Sequence, residues 1–108
     1  MTDRLHQLLE FHKDDPTDSF VTYSLAQEYL KIDDTEKAIE IFESLKQSDP
    51  SYVGLYYHYG KALESLERLD EAHSIYTVGI QECQKVGDKH ALGELNGAMM
   101  LLEDRMED

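Results

Sequence analysis

The chain has 108 residues, 41% of them hydrophobic, and its 23 acidic against 10 basic residues give a formal net charge of −13. This length allows one domain with a small core. An acidic surface repels phosphate groups, so the charge argues against nucleic acid and anionic membranes as partners. It fits either a solubilising role or a basic partner protein.

The cysteine count and the hydropathy pattern predict a cytoplasmic protein. Cys83 is the single cysteine, so no internal disulfide is expected and a reducing compartment is indicated. No apolar run has the length of a signal-peptide core or of a membrane-spanning helix.

The first half of the chain reads as three helices. Apolar residues recur at helical spacing, and strand-like alternation is absent. A first helix is predicted over 1–15 and ends before Pro16, because the residue before a proline disfavours the helical conformation. Thr17 or Asp18 then caps the first member of a helix pair that covers 18–50.

The second half reads as another helix pair and one more helix. The pair covers 51–86, and its first helix is expected to carry Tyr52 among several aromatic residues. Gly87 is placed to end the fifth helix, and Asp88 is placed to cap the sixth over 88–106. No linker composition interrupts the chain, so a single domain over 1–108 is predicted.

The chain repeats itself with a period of 34 residues. The residues that recur at this distance are Pro16 and Pro50, Ala26 and Gly60, Ala38 and Ala72, and Phe42 and Tyr76. A fixed period of this size is typical of stacked helical units that cannot bury their apolar faces alone. The small residues in the set predict a close approach of paired helices.

These residues resemble the tetratricopeptide repeat family. The first full repeat shows Thr22, Leu25, Ala26, Tyr29, Ala38, Phe42 and Pro50, and the second shows Tyr56, Tyr59, Gly60, Leu63, Ala72 and Tyr76. The first repeat lacks the leading aromatic residue, and Gln84 stands where the second would have its closing proline. The resemblance implies an all-α fold, a right-handed α-α superhelical stack of about six antiparallel helices.

The same resemblance implies a non-catalytic protein-interaction module. In this family the first helix of each pair lines a concave groove that accepts an extended peptide or a helix. The matching residues here are Phe20, Tyr23, Gln27 and Leu30 from one repeat, and Gly54, Tyr57, Lys61 and Glu64 from the next. Tyr23 and Tyr57 fit either partner binding or ordinary packing between helices. One subclass of the family grips the carboxylate of chaperone tails with Lys, Asn and Arg, and this set is not present.

Self-association is the second reading of the sequence. The terminal helices carry apolar residues that would leave an edge for a second copy to cover, namely Leu5, Leu8, Met99 and Leu102. A homodimer through the end helices would then form.

Catalytic or metal chemistry comes third. His6 with Glu10, and His90 with Glu94, have the spacing to share a metal on one helix face, but two ligands do not define a specific site. Cys83 has no histidine close to it in the sequence and is expected to pack as a small apolar residue. There is no glycine-rich phosphate loop, and we expect no enzymatic activity, resident metal or cofactor.

Overall fold

The computed structural model describes residues 3–107, and within this range it contains six α-helices and no strand. The helices are α1 Asp3–Asp14, α2 Ser19–Lys31, α3 Thr35–Ser48, α4 Gly54–Ser65, α5 Leu69–Val86 and α6 Lys89–Met106. The predicted all-α class is confirmed. Residues 1 and 2, where the first helix was predicted to begin, and Asp108 lie outside the described residues.

The helices group into two compact units. The first unit ends at Tyr52 and holds α1, α2 and α3, whereas the second begins at Val53 and holds α4, α5 and α6. This division falls close to the predicted boundary between the repeats at 50 and 51. That the whole chain forms one domain stays a prediction.

Local side chains and backbone set the ends of several helices, as the sequence indicates. Asp18, Asp34 and Asp88 each accept a hydrogen bond from the backbone N–H three residues further on, at 3.1, 3.3 and 3.0 Å. Such caps satisfy amides that have no partner inside the helix. Of the two candidate caps for α2, therefore, it is Asp18 and not Thr17 that binds. Gly87 ends α5 in the left-handed conformation, with φ 77°.

One predicted helix begins later than the repeat pattern suggests. Tyr52 was expected on α4, but this helix starts at Gly54. Tyr52 lies in the preceding turn, where its backbone N–H donates to the carbonyl of Asp49 at 3.1 Å. Its side chain is consequently placed by the turn and not by the helical repeat.

The interior of the first unit forms on both sides of α2, which packs against α1 and α3. Leu5 and Leu8 of α1 form an apolar cluster with Leu25 of α2. Ala26 and Ala38 have no exposed surface, in agreement with the close helix approach predicted for these positions. Apolar burial of this kind is the main stabilising contribution to the unit.

The second unit is built around α5, which packs against α4 and α6. A Cβ atom at Gly60 would lie 2.1 Å from Cε1 of Tyr76, so this position has room for glycine alone. A Cβ atom at Gly79 would likewise lie 2.5 Å from Cβ of Tyr56. Both tyrosines have no exposed surface. The glycines thus let large aromatic rings reach the backbone of the neighbouring helix.

The turns within the two helix pairs share an uncommon backbone conformation. Asp33 and Glu67, which are one 34-residue period apart, both have positive φ angles, 62° and 58°. Residues other than glycine are disfavoured in this left-handed region. The repeat therefore fixes the turn geometry even where the residue type does not favour it.

Candidate functional site

The predicted contact residues of the first unit lie along one side of α2. Phe20 is 60% exposed although it is large and apolar. Tyr23, Gln27 and Leu30 are half-buried on the same side of the helix, at spacings of three and four residues. These four side chains, here called the α2 face, are accessible to a partner.

Tyr23 is fixed in place by its neighbours. Its ring centroid lies 5.4 Å from that of Tyr52 at an interplanar angle of 50°, and 6.4 Å from that of Phe42 at 57°. Tilted aromatic pairs at these distances attract one another. The side-chain amide of Gln27 donates to the Tyr23 hydroxyl at 3.0 Å. Tyr23 is thereby both packed against its unit and presented at the surface, so the two readings of this residue are compatible.

The surroundings of Tyr52 are acidic. Burial raises the pKa of Tyr52, and Tyr23, Asp18 and Asp49 raise it further. The carboxylate of Asp49 accepts a hydrogen bond from the hydroxyl of Ser19 at 2.6 Å. A protonated tyrosine hydroxyl and two carboxylates therefore lie near the N-terminal end of the α2 face, and this arrangement favours a partner with donor or basic groups.

The predicted contact residues of the second unit lie on α4 and differ in their exposure to solvent. Gly54 and Lys61 are exposed, Tyr57 is half-buried, and Glu64 is buried at 7% exposure. The Tyr57 ring meets the His58 ring edge-on, with 5.3 Å between centroids and 86° between planes. The ammonium group of Lys61 lies 3.9 Å from the Glu64 carboxylate. Tyr57 and Lys61 are here called the α4 face.

Glu64 is engaged inside its own unit. Its Oε2 accepts from the hydroxyl of Tyr76 at 2.5 Å, and its Oε1 accepts from Nη1 of Arg105 at 2.9 Å. Nη2 of Arg105 also donates to both carboxylate oxygens of Glu67, at 2.8 and 2.9 Å. Burial, followed by the bond to Glu64, raises the pKa of Tyr76. Glu64 therefore joins α4, α5 and α6, and its carboxylate also lies within ion-pair distance of Lys61.

Several clefts open on the described residues, and two of them, one lined in part by α2 and one lined in part by α4, are here called the cleft of the first unit and the cleft of the second unit. The cleft of the second unit measures about 310 Å³ and is lined by Lys61, Glu64, Ser65, Glu67 and Arg105. The cleft of the first unit measures about 290 Å³ and is lined by residues of α1, α2 and α3, among them Leu9, His12, Thr22, Leu25, Tyr29 and Ile41. Neither Arg105 nor His12 was predicted from the sequence to line a cleft.

The candidate metal and nucleophile residues are not brought together. The side chains of His90 and Glu94 lie 3.9 Å apart, and both are largely exposed. Within residues 3–107, no group of three His, Cys, Asp or Glu side chains could hold a metal ion. Cys83 is buried, and burial raises its pKa, as do Asp88 and Glu82. A thiol kept protonated in this way is a poor nucleophile.

The apolar edge predicted for self-association does not form from the residues expected. Leu5, Leu8 and Leu102 are each buried in their own unit, and Met99 is half-buried. The three buried leucines therefore cannot offer a free edge to a second copy. The exposed large apolar side chains between residues 3 and 107 are Phe11, Phe20, Ile32, Val86, Met100, Leu101 and Met106.

Comparison with known proteins gives consistent matches. Residues 22–52 match a family model described as tetratricopeptide repeat. A tetratricopeptide repeat domain protein from Salinibacter ruber, solved by NMR, is 44% identical, with 83% of this chain and 91% of that chain covered and a TM-score of 0.80. No curated protein matches the chain.

Two more distant structures share the fold. The TPR2B domain of yeast Sti1 in its pHsp70 complex is 16% identical, covers 94% of this chain and 81% of its own, and has a TM-score of 0.87. The type III secretion translocator chaperone SycD of Yersinia enterocolitica is 16% identical, covers 98% of this chain and 74% of its own, and has a TM-score of 0.88. In the described part of this chain, no helix has the length and apolar character needed to cross a membrane.

Proposed function

Because the chain belongs to the tetratricopeptide repeat family, we propose that it is a non-catalytic protein-interaction module. It binds an extended peptide segment or a helix of a partner protein, through contacts from the α2 face and from the α4 face. The observation that carries this proposal is the fixed position of Tyr23. Its ring packs against Phe42 and Tyr52 and its hydroxyl accepts a hydrogen bond from Gln27, while part of the side chain stays accessible.

The α2 face has the properties of a binding hot spot. A ring that is already ordered loses little conformational entropy when a partner packs on it. Tyrosine is enriched at such positions, since it combines a large apolar ring with a hydroxyl that forms hydrogen bonds. Phe20 adds exposed apolar area beside it, and Gln27 and Leu30 extend the face along the helix. A partner would thus meet one anchoring ring and an apolar surround.

The α4 face contributes Tyr57 and Lys61. Glu64 is part of the predicted site, and we assign it a supporting role, because its oxygens already bond Tyr76 and Arg105. Lys61 is free to turn toward a carboxylate of the partner, since the Glu64 carboxylate is 3.9 Å from its ammonium group. The net charge of −13 favours a partner that is basic elsewhere along its length.

Related proteins support a binding role in general terms. The yeast domain is described in a complex with pHsp70, and the Yersinia protein is described as a translocator chaperone. Both share the fold with this chain at low identity. The Lys, Asn and Arg set that grips chaperone tails is absent here, so the proposal is confined to other peptide or helical segments. A cytoplasmic location is part of the proposal and is supported by the single, buried cysteine.

Affinity capture from the native lysate tests this function with matched variants. The Tyr23→Ala/Tyr57→Ala double variant should lose the partner, and Phe20→Ser should weaken its binding at least about tenfold in a subsequent calorimetric titration. Phe11→Ser is the matched control, because Phe11 is a similarly exposed phenylalanine (56%) on α1, outside both faces. Circular dichroism checks that each variant is folded. A partner that the folded double variant retains undiminished would contradict the proposal.

Self-association remains the second candidate function. The observation that favours it is the pair Met100 and Leu101 on α6, which are 62% and 63% exposed. The charge of −13 on each copy opposes a dimer at low salt. Size exclusion across a range of protein and salt concentrations separates the two functions. A dimer that is lost in Leu101→Lys would favour this second candidate.

A further inference from the structure

The N-terminal end of the α2 face lies beside the end of α3 and the turn that follows it. The hydroxyl of Ser19, the first residue of α2, donates to Oδ2 of Asp49 just after α3, at 2.6 Å. Tyr52 lies in the same turn, since its backbone N–H donates to the carbonyl of Asp49, and its ring centroid is 5.4 Å from that of Tyr23. One carboxylate and two aromatic rings are thereby brought together at this end of the face.

The Asp49 carboxylate is held in place by hydroxyl groups. Its Oδ2 accepts from Ser19, and its Oδ1 accepts from the hydroxyl of Ser51 at 3.1 Å. The neighbouring Asp18 accepts from the backbone N–H of Val21 with Oδ1 alone. In the part of the chain that the structure describes, neither carboxylate forms an ion pair with a Lys, Arg or His side chain. An ionised carboxylate can accept about four hydrogen bonds, so both keep room for the donors of a partner.

The two tyrosine rings supply an apolar surface that also attracts cations. Tyr23 and Tyr52 are half-buried, so part of each side chain stays accessible, and their ring planes are tilted by 50° to one another. Burial raises the pKa of Tyr52 first of all, and three neighbouring groups raise it further, namely Tyr23, Asp18 and Asp49. The carboxylates therefore act on the Tyr52 side chain electrostatically. A cation placed against the ring is attracted both by the ring face and by the negative charge beside it.

We propose that this end of the α2 face binds an arginine side chain of the partner, with the guanidinium group packed against the ring of Tyr52 and its N–H groups donating to the carboxylate of Asp49. The four residues involved are here called the arginine pocket: Asp18, Tyr23, Asp49 and Tyr52. Arginine fits better than lysine, because its planar group stacks on an aromatic ring and its fork of donors matches a carboxylate. The pocket belongs to the α2 face, so this assignment rests on the function proposed above.

The test uses three capped tripeptides as probes. Each has an acetylated and amidated Gly-X-Gly sequence, with arginine, lysine or citrulline as the central residue. Citrulline has nearly the same size and planarity as arginine but carries no charge. Amide chemical shifts of the 108-residue protein at low ionic strength report binding. We expect the arginine peptide to cause saturable shifts at Ser19, Tyr23 and Tyr52. The lysine peptide should bind about threefold more weakly. The citrulline peptide should bind at least about fivefold more weakly, because its hydrogen bonds to a carboxylate are not charge-assisted.

Variants separate this pocket from the general acidity of the chain. Asp49→Asn should weaken binding of the arginine peptide at least about fivefold. Asp34→Asn is the matched control, because it removes the same charge from a capping carboxylate at the opposite end of α3 and should leave binding unchanged. Tyr52→Leu should weaken binding about threefold through loss of the ring face, whereas Tyr52→Phe keeps this face and should bind as wild type. Circular dichroism checks that each variant is folded.

Capture of the partner from the lysate distinguishes failure of the pocket from failure of the binding face. Loss of the captured partner in Asp49→Asn, as in Tyr23→Ala/Tyr57→Ala, would support the arginine pocket. A partner that Asp49→Asn retains but the double variant loses would overturn the pocket and leave the α2 and α4 faces in place. Equal binding of the arginine peptide and either of the other two, equal effects of Asp49→Asn and Asp34→Asn, or no saturable shift would also overturn it.

Discussion

The two units fill matching interior positions with different chemistry. Phe42 in the first unit and Tyr76 in the second are one period apart, and neither has any exposed surface. The hydroxyl of Tyr76 needs a partner, which it finds in the carboxylate of Glu64. The position that matches Glu64 in the first unit is Leu30, which is apolar and half-buried. These two positions are therefore both apolar in the first repeat, whereas in the second repeat they hold a hydrogen-bonded polar pair.

This difference shows what a polar interior requires. The Glu64 carboxylate accepts hydrogen bonds from α5 through Tyr76 and from α6 through Arg105. A buried network of this kind stabilises only while each member keeps its partners. The second unit should therefore respond to single substitutions more strongly than the first, and a paired substitution should remove the difference.

Gly60→Ala should have the largest effect. The new Cβ atom would lie 2.1 Å from Cε1 of Tyr76, whose hydroxyl is held by Glu64, so the ring cannot easily move aside. We expect the free energy of unfolding to fall by about 3 kcal/mol, as for an overpacked core. The matching residue of the first unit is Ala26, and Ala26→Gly should cost about 1 kcal/mol. Urea denaturation measures both, and equal effects would contradict the difference between the units.

Glu64→Leu should have the next largest effect. It leaves the buried hydroxyl of Tyr76 without its acceptor, at a cost of about 2 kcal/mol. The double variant Glu64→Leu/Tyr76→Phe installs the residue types of Leu30 and Phe42, and most of the loss should be recovered. A double-mutant cycle by denaturant unfolding measures the coupling. Strictly additive effects would show that the hydroxyl does not depend on Glu64.

The stability of the second unit should depend on pH through His58 on α4. Burial lowers the pKa of His58 below 6.5, although Glu94 acts in the opposite direction. The unfolded chain then binds the proton at His58 more readily than the folded chain does. The free energy of unfolding is therefore highest above the pKa of His58 in the unfolded state, and it falls as the pH drops toward the pKa in the folded state. Wild type should therefore lose stability as the pH falls below the unfolded histidine value of about 6.5, in a range where most carboxylates stay ionised. His58→Gln should flatten this loss, and an unchanged slope would contradict the assignment.

The smallest effect is expected in the turns. Asp33→Gly relieves a φ of 62° and should raise the free energy of unfolding by about 0.5 kcal/mol. Glu67→Gly relieves a similar angle but also removes the hydrogen bonds from Arg105, so its gain should be smaller or negative. Thermal unfolding distinguishes the two variants. An equal gain in both would show that the Arg105 contact to Glu67 contributes nothing.

Much of the fold could be predicted because its determinants are local. Gly87 and Asp88 end one helix and begin the next through bonds within a few residues. The period of small residues correctly indicated close approach at Gly60, where the neighbouring ring leaves no space for a side chain. Positions of this kind are readable from residue type and spacing alone.

The polar details could not be predicted, because they depend on residues that are distant in sequence. Arg105 reaches Glu64 across 41 residues, and no local signal pairs them. The burial of Leu102 likewise depends on how α6 packs within its unit. Tyr52 was expected on α4, yet it lies in the turn before this helix, where its ring contacts that of Tyr23. The repeat predicts which helices pair, whereas side chains at the surface follow local turns and long-range contacts.

Binding of a partner on the α2 and α4 faces can be measured directly. The most direct measurement is the change in amide chemical shifts of the 108-residue protein when the binding segment of a captured partner is added. We expect chemical-shift changes centred on Phe20, Tyr23 and Gln27, with a second group at Tyr57 and Lys61. Chemical-shift changes that are confined to the opposite side of α2, or to α6, with no change at these residues, would contradict binding on the two faces.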